Sequence, residues 1–212
     1  MDTEDNVLKD EKNGFHEDLD KNFLEFECKY NSEWKACLIF KQIVGSHPEV
    51  NDFLHVEGDD IYYTKGDEFL RYRMPAGKKK NTRSELTYKT KHGAKNNIAR
   101  TEVNLRVDPN DSATVEKFVN ILGFVQNFRI TKMCHIYYTK EANLVFYSII
   151  DHSDKNKEAS HFIEIEVNEE LSSTLTEEQN WDIIRKWENI LAPAGVLAQK
   201  RLKKSLFEMY RK

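Results

Sequence analysis

The chain of 212 residues carries 32 Lys plus Arg and 36 Asp plus Glu, a formal net charge of −4 that argues against a general nucleic-acid or membrane-surface binder. No apolar run approaches the ~20 residues of a membrane span, and the acidic, polar first segment argues against a secretory signal. Three cysteines, an odd number without metal-like spacing, favour reduced thiols, so we expect a cytoplasmic protein.

In chain order, the acidic segment 1–21 is expected to be a flexible tail, and residues 22–212 are expected to form one domain. Eight segments of this domain have the alternation of apolar and polar residues that is typical of strands: 23–30, 53–64, 67–74, 84–91, 98–107, 127–139, 142–150 and 160–168. Four segments have apolar residues at helical spacing: 33–44, 111–122, 176–191 and 196–211. The short connections between strands predict a mainly antiparallel sheet.

The first strand has an apolar face and a charged face. Successive side chains of a strand point to opposite sides, so Glu25, Glu27 and Lys29 share one face while Leu24 and Phe26 lie on the other. Two carboxylates two positions apart are separated by roughly 7 Å, and here a cation follows them. Taken alone, this pattern is also typical of a half-exposed strand with a polar outer side.

The same alternation returns in four later strands, and their charges are clustered by sign. The charged positions of these strands are Arg71 and Arg73; Glu85, Lys89 and Lys91; Arg100, Glu102 and Arg106; and Glu164 and Glu166. On an open antiparallel sheet such faces would be solvated. If the apolar stripes of the four helices cover the sheet from outside, the charged faces turn inward and line a closed barrel. The clustering by sign favours the barrel.

A charged lumen suits a particular chemistry. Its charges have to be paired, hydrated or bound to a ligand, because isolated buried charges are costly. Pairs of carboxylates offer hard oxygen ligands to Mg²⁺ or Mn²⁺, and Lys and Arg donate charge-assisted hydrogen bonds to phosphate oxygens. Together these groups describe a site for a metal-bound polyphosphate.

Six segments in the same order resemble one known family. They are Glu25-x-Glu27-x-Lys29, Asp60-Ile61-Tyr62-Tyr63 with Phe69-Leu70-Arg71-Tyr72-Arg73, Leu86-Thr87-Tyr88-Lys89, Arg100-Thr101-Glu102, Phe162-Ile163-Glu164-Ile165-Glu166 and the terminal 203–210. The pattern is similar to that of the CYTH superfamily, the triphosphate tunnel metalloenzymes, which includes thiamine triphosphatases, inorganic triphosphatases and class IV adenylyl cyclases.

The resemblance implies an α+β fold in which an eight-stranded antiparallel β-barrel, with helices packed outside, binds a triphosphate and Mg²⁺ or Mn²⁺. It implies metal ligands at Glu25, Glu27, Glu164 and Glu166. It implies catalytic roles for Glu25, Glu27, Lys29 and Glu102. It implies that the triphosphate is held by Lys29, Arg71, Arg73, Lys89, Arg100 and Lys132.

The sequence departs from the family at one position. In the segment 130–137, Cys134 stands where the family usually has an arginine, and a thiol cannot supply a bidentate cation. Four functions stay open, the last of them an interaction domain that has lost the ligand. The first is a metal-dependent hydrolase that removes the terminal phosphate of a triphosphate. Its substrate would be inorganic, nucleoside or thiamine triphosphate, or an RNA 5′-triphosphate end. We expect the protein to be a monomer or a homodimer. The alternatives are a class IV-type adenylyl cyclase that makes cyclic AMP from ATP, and a non-catalytic triphosphate binder.

Overall fold

The computed structural model describes residues 23–76, 84–89, 99–108, 111–153 and 158–211, with the side chains of 23–25, 89 and 99–102 excepted. The predicted flexible tail, 1–21, lies outside the described residues. Each of the eight predicted strands is confirmed in position: β1 Phe23–Ser32, β2 Asp52–Lys65, β3 Glu68–Pro75, β4 Ser84–Lys89, β5 Ala99–Val107, β6 Val125–Tyr138, β7 Ala142–Asp151 and β8 Ser160–Val167.

The helices of the described chain are shorter than the strands on average. They are α1 Trp34–Gly45, α2 Ser112–Ile121, α3 Glu169–Ser172, α4 Glu177–Leu191 and α5 Leu206–Tyr210, with single 3₁₀ turns at Ala192–Ala194 and Ala198–Lys200. Helix α4 begins with a capping box in which the Thr176 hydroxyl accepts from the Gln179 amide and the Gln179 side chain accepts from the Thr176 amide. Among the helices that the structure describes, none combines the length and the apolar character needed to cross a bilayer.

The strands pair in a ring. Their order is β1-β5-β4-β3-β2-β6-β7-β8, every pairing is antiparallel, and β1 pairs with β5 on one side and β8 on the other. On one side of β1 Phe26 pairs with Ala99, and on the other Glu27 pairs with Glu166. These two pairings close the sheet into a barrel, so each strand has an inner and an outer face.

Helices α1, α2 and α4 lie against the outer face, as predicted. Helices α1 and α4 cover the apolar side chains of β1, β7 and β8, which belong to one buried cluster: Phe26, Tyr30, Leu144, Phe146, Ile163 and Ile165 with Phe40, Ile184 and Trp187. Helix α2 packs Val115 and Val119 on Tyr63, Tyr72 and Leu86 of β2, β3 and β4. Because successive residues alternate in direction, the charged residues between these apolar positions face the inside of the barrel.

The predicted helix over 196–211 is confirmed only over Leu206–Tyr210 and is wrong before that. Gly195 turns the chain in the left-handed region with φ of 84°, and Arg201 then forms an isolated β-bridge with Tyr30. The Leu202 amide donates to the Lys29 carbonyl at 2.8 Å, and Arg201 itself donates twice to the buried Glu188 at 2.6 Å. These contacts hold the segment extended against β1 at the cost of helical hydrogen bonds.

Candidate active site

Charged side chains from five strands, and one from α3, converge on a single cavity of about 250 Å³. Among the described residues, its charged lining consists of five carboxylates and four cations: Glu27, Glu85, Glu164, Glu166 and Glu169 with Lys29, Arg71, Arg73 and Lys132. The structure therefore brings together seven of the residues predicted for the site. The acidic residues of β1 and β8 and the basic residues of β3 and β6 occupy the same enclosed space.

Four predicted site residues have side chains outside the described part of the chain: Glu25, Lys89, Arg100 and Glu102. Their backbones are described, and two register pairs join them. Glu25 pairs with Arg100 between β1 and β5, and Lys89 pairs with Glu102 between β4 and β5. The roles proposed for these four residues stay predictions. Lys91, which belongs to the same predicted charged face, lies outside the described residues altogether.

The acidic side of the cavity is held together by Lys29. Its ammonium forms an ion pair with the Glu27 carboxylate and lies 3.5 Å from Oε2 of Glu164. The pairing follows from register, since Lys29 stands opposite Glu164 and Glu27 stands opposite Glu166 on the neighbouring strand. The side chains of Lys29, Glu27 and Glu164 are only 12%, 9% and 10% exposed, so solvent screens their interactions weakly.

Arg71 belongs to a polar network across β3, β4 and β5. Its Nη2 donates to Oε1 of Glu85 at 3.1 Å and to the Thr87 hydroxyl at 3.0 Å. The Thr87 hydroxyl lies 2.7 Å from Oδ1 of Asn104, to which it donates. The sequence places both Glu85 and Asn104 on the charged faces of their strands, without a predicted role. The network fixes the guanidinium plane of Arg71 toward the cavity.

Arg73 is held by a residue that sequence reasoning missed. Its Nε and Nη2 donate to the two carboxylate oxygens of Asp60 at 2.8 and 2.9 Å. Asp60 is 1% exposed and stands directly opposite Arg73 in the β2–β3 register. Burial alone would raise the pKa of the Asp60 carboxyl, but the Arg73 guanidinium outweighs burial and lowers that pKa to about 2. The available signal was its place in Asp60-Ile61-Tyr62-Tyr63, one of the segments that carry the family resemblance.

Lys132 and Cys134 lie next to each other on the inner face of β6. The Lys132 ammonium lies 3.8 Å from the centroid of the Tyr147 ring. Cys134 is a free, buried cysteine, and burial raises the pKa of its thiol even though Lys132 and Arg73 oppose the rise. The thiol is therefore held in its neutral form among these cations. The position that departs from the family pattern lies inside the barrel beside the predicted phosphate-binding residues.

One end of the cavity is apolar, which the alternating charges did not indicate. Tyr62 and Phe69 line it together with Leu206 and Phe207 of α5. The Phe207 ring stacks on Phe69 with centroids 4.2 Å apart and an interplanar angle of 9°. Together with Phe128, Ile149 and Phe162, these residues form a buried cluster on the inner side of the strands. The short helix α5 thus packs against the inner face of the barrel.

The residues present fit a hard divalent cation in their donor chemistry. Carboxylate oxygens are the ligands that Mg²⁺ and Mn²⁺ prefer, and Oε2 of Glu164 is buried without a hydrogen bond. In the part of the chain that the structure describes, however, no group of three or more His, Cys, Asp and Glu side chains is arranged to hold a metal. The predicted metal ligands therefore stay predictions, with Glu27 and Glu164 the pair that Lys29 brings together.

No protein-family model matches the sequence, and no curated protein matches it. Solved structures do match. The PH1012 protein of Pyrococcus horikoshii has a TM-score of 0.66 at 20% identity, over 89% of this chain and 99% of that one. A candidate adenylate cyclase of Bacillus halodurans has a TM-score of 0.60 at 12% identity, over 89% and 98% of the two chains.

The RNA triphosphatase domain of a mimivirus mRNA capping enzyme has a TM-score of 0.51 at 10% identity, over 84% of this chain and 92% of that one. What the chain shares with these proteins is the fold. The α+β architecture with eight antiparallel strands is thereby found in solved structures, among them one from a triphosphatase and one from a candidate cyclase. At these identities the comparisons carry no information on individual site residues.

Proposed function

We propose that the chain binds a triphosphate in the charged cavity and, with a divalent cation, hydrolyses its terminal phosphate. The observation that carries this proposal is the convergence of Lys29, Arg71, Arg73 and Lys132 with the carboxylates of β1 and β8 on one mostly buried cavity. The four cations that line this cavity of about 250 Å³ suit the phosphate oxygens, and its carboxylates suit a divalent cation bound to them. The fold shared with a viral RNA triphosphatase domain supports the same reaction class.

The described side chains divide into two roles. Arg71 and Arg73 present guanidinium groups whose orientation is fixed by Glu85 and Asp60, which suits donation to phosphate oxygens. Glu27 and Glu164 are the proposed holders of the cation, which when bound would polarise a phosphoryl oxygen. In the reaction a water oxygen bonds to the terminal phosphorus, the bridging P–O bond breaks, and the cations of the cavity stabilise the charge on the leaving diphosphate.

A cyclase is the second candidate, because the Bacillus halodurans structure has a higher TM-score, 0.60, than the mimivirus triphosphatase domain, 0.51. Such a protein would join the ribose 3′ oxygen of ATP to the α-phosphorus and release pyrophosphate. A non-catalytic binder is the third, because Cys134 adds no cation and Lys29 already pairs with Glu27 and Glu164. The proposals differ in product, so one assay separates them.

The test is incubation of the full chain with inorganic triphosphate, ATP and thiamine triphosphate, each with Mg²⁺ or Mn²⁺, while orthophosphate, pyrophosphate and cyclic AMP are measured together. We expect orthophosphate. Glu27→Gln and Arg73→Ala should each lower turnover by about 10²-fold or more while circular dichroism stays unchanged. Glu141→Gln is the matched control, since Glu141 pairs with Lys186 outside the barrel.

Release of cyclic AMP and pyrophosphate from ATP would contradict the proposed hydrolase activity and support the cyclase. Tight binding of triphosphate without any product, in the presence of either metal, would support the non-catalytic binder instead. Full activity of the Glu27→Gln protein would contradict the assigned role of the cavity in catalysis.

A further inference from the structure

Lys132 differs from the other described cations of the cavity in what holds it. Lys29 pairs with Glu27 and Glu164, Arg71 pairs with Glu85, and Arg73 pairs with Asp60. Within the described residues no salt bridge joins Lys132 to a carboxylate, and its ammonium lies against the face of the Tyr147 ring at 3.8 Å. A ring holds an ammonium through its quadrupole and leaves the full positive charge in place.

The Tyr147 ring is itself fixed on both sides. Tyr147 is 0% exposed, and Phe162, which stands opposite it in the β7–β8 register, stacks on it with centroids 5.3 Å apart and an angle of 24°. Lys132 lies on β6 one inner position away from Cys134, which pairs with Tyr147. The ring therefore has one neighbour on β8 and the Lys132 ammonium on its β6 side, and packing fixes its position.

The hydroxyl of Tyr147 keeps the ring neutral. It is buried on the side of the Glu164 carboxylate, away from the ring face that Lys132 contacts. Burial, together with the Glu164 and Glu27 carboxylates, raises the pKa of this hydroxyl well above its ordinary value. The ring thus presents a neutral aromatic face to Lys132, as an attractive cation–π contact requires.

From this geometry we propose that Tyr147 is a positioning residue, which holds the Lys132 ammonium toward the triphosphate without neutralising it. The inference rests on the proposed triphosphate site and assigns within it a residue that does not touch the substrate. Among the cations whose side chains the structure describes, an entering anion then meets in Lys132 a charge that no contacting carboxylate offsets. Lys132 should accordingly contribute strongly to triphosphate affinity, and Tyr147 should contribute only through Lys132.

The test compares triphosphate dissociation constants for Tyr147→Phe, Tyr147→Leu, Lys132→Met and the double variant Lys132→Met/Tyr147→Leu. Tyr147→Phe keeps the aromatic face and should bind within about twofold of the wild type. Tyr147→Leu should bind about 5- to 30-fold more weakly, the range expected for a desolvated cation–π contact. The double variant should bind no more weakly than Lys132→Met alone. Tyr137→Leu, a buried tyrosine that packs on Phe40 outside the barrel, is the control and should bind normally.

Additive losses in the double variant, or an equal loss in Tyr147→Phe and Tyr147→Leu, would overturn the inference. Failure of the wild type to bind any triphosphate would instead sink the proposed function. In that case a second cycle on the same variants, read from urea unfolding without ligand, decides the inference. Coupling of about fivefold or more in the unfolding equilibrium between Lys132 and Tyr147 supports it, and no coupling overturns it.

Discussion

Replacing Asp60 by asparagine tests the buried ion pair that orients Arg73. The carboxylate is 1% exposed and accepts two hydrogen bonds from the guanidinium. Arg73 holds the pKa of this carboxyl at about 2, below its ordinary 3.8, against the effect of burial. A difference of that size corresponds to about 2 kcal/mol in favour of the charged, folded state. We therefore expect Asp60→Asn to lower the free energy of unfolding by about 2 kcal/mol at pH 7.

The pH dependence gives the sharper result. Because the pKa of Asp60 is lower in the folded than in the unfolded chain, its contribution is complete above about pH 4 and is lost as the pH falls toward about 2. The stability difference between wild type and Asp60→Asn should thus persist from pH 7 to 4 and shrink below pH 4. Urea unfolding at pH 7, 5, 4 and 3 measures it directly.

Asp59→Asn is the matched control for this experiment. Asp59 is the neighbouring residue on the outer face of β2, where it pairs with Arg129 and accepts from the Thr131 hydroxyl. Its side chain is 24% exposed and that of Arg129 is 46% exposed, so screening limits the loss to below about 1 kcal/mol. A deficit for Asp60→Asn that is independent of pH, or that is no larger than the deficit for Asp59→Asn, would refute the reasoning.

Two further substitutions test the packing around the barrel. A Cβ at Gly58 would lie 2.4 Å from the Met74 carbonyl oxygen, so Gly58→Ala should lower the free energy of unfolding, measured by thermal denaturation, by about 1–3 kcal/mol. The control Gly45→Ala, where the nearest atom to the new Cβ is 4.0 Å away, should be close to neutral. Equal effects of the two substitutions would contradict the structure. The Tyr30 hydroxyl donates to Oε1 of the buried Glu188 at 2.7 Å. Tyr30→Phe should therefore lower the free energy of unfolding, measured by urea denaturation, by about 1–2 kcal/mol. An unchanged unfolding midpoint would count against this hydrogen bond.

The strands and the inner face of the barrel could be predicted because both depend on the period of two along a strand. Charged and apolar residues alternate over Arg71, Tyr72 and Arg73, so the apolar side chain and the charged side chains lie on opposite faces of the strand. The apolar face has to be buried, here under a helix. The structure buries Tyr72 under α2 and directs both arginines into the cavity. Local pattern and tertiary structure agree at these positions, so the sequence alone was sufficient.

The remainder depended on contacts between distant segments. Asp60 was missed because its role is defined by Arg73 on another strand, and one acidic residue in a strand gives no local sign of its partner. The segment after Gly195 was predicted to be helical from its spacing, but the bridge of Arg201 to Tyr30 and its ion pair with Glu188 override that propensity. The aromatic end of the cavity was hidden because Phe207 belongs to α5, which packs inside instead of outside.

The double pairing of β1 constrains the order in which the molecule can assemble. Ser32 pairs with His161 in β8, the last strand, while Phe26 pairs with Ala99 in the middle of the chain. During synthesis the nascent chain can therefore build hairpins from β2 to β7 but cannot seal the ring until β8 has emerged. Until then unpaired strand edges stay available to other chains, and contacts of such long sequence separation form slowly. We expect amide hydrogens at the β1–β8 seam to gain protection last during refolding.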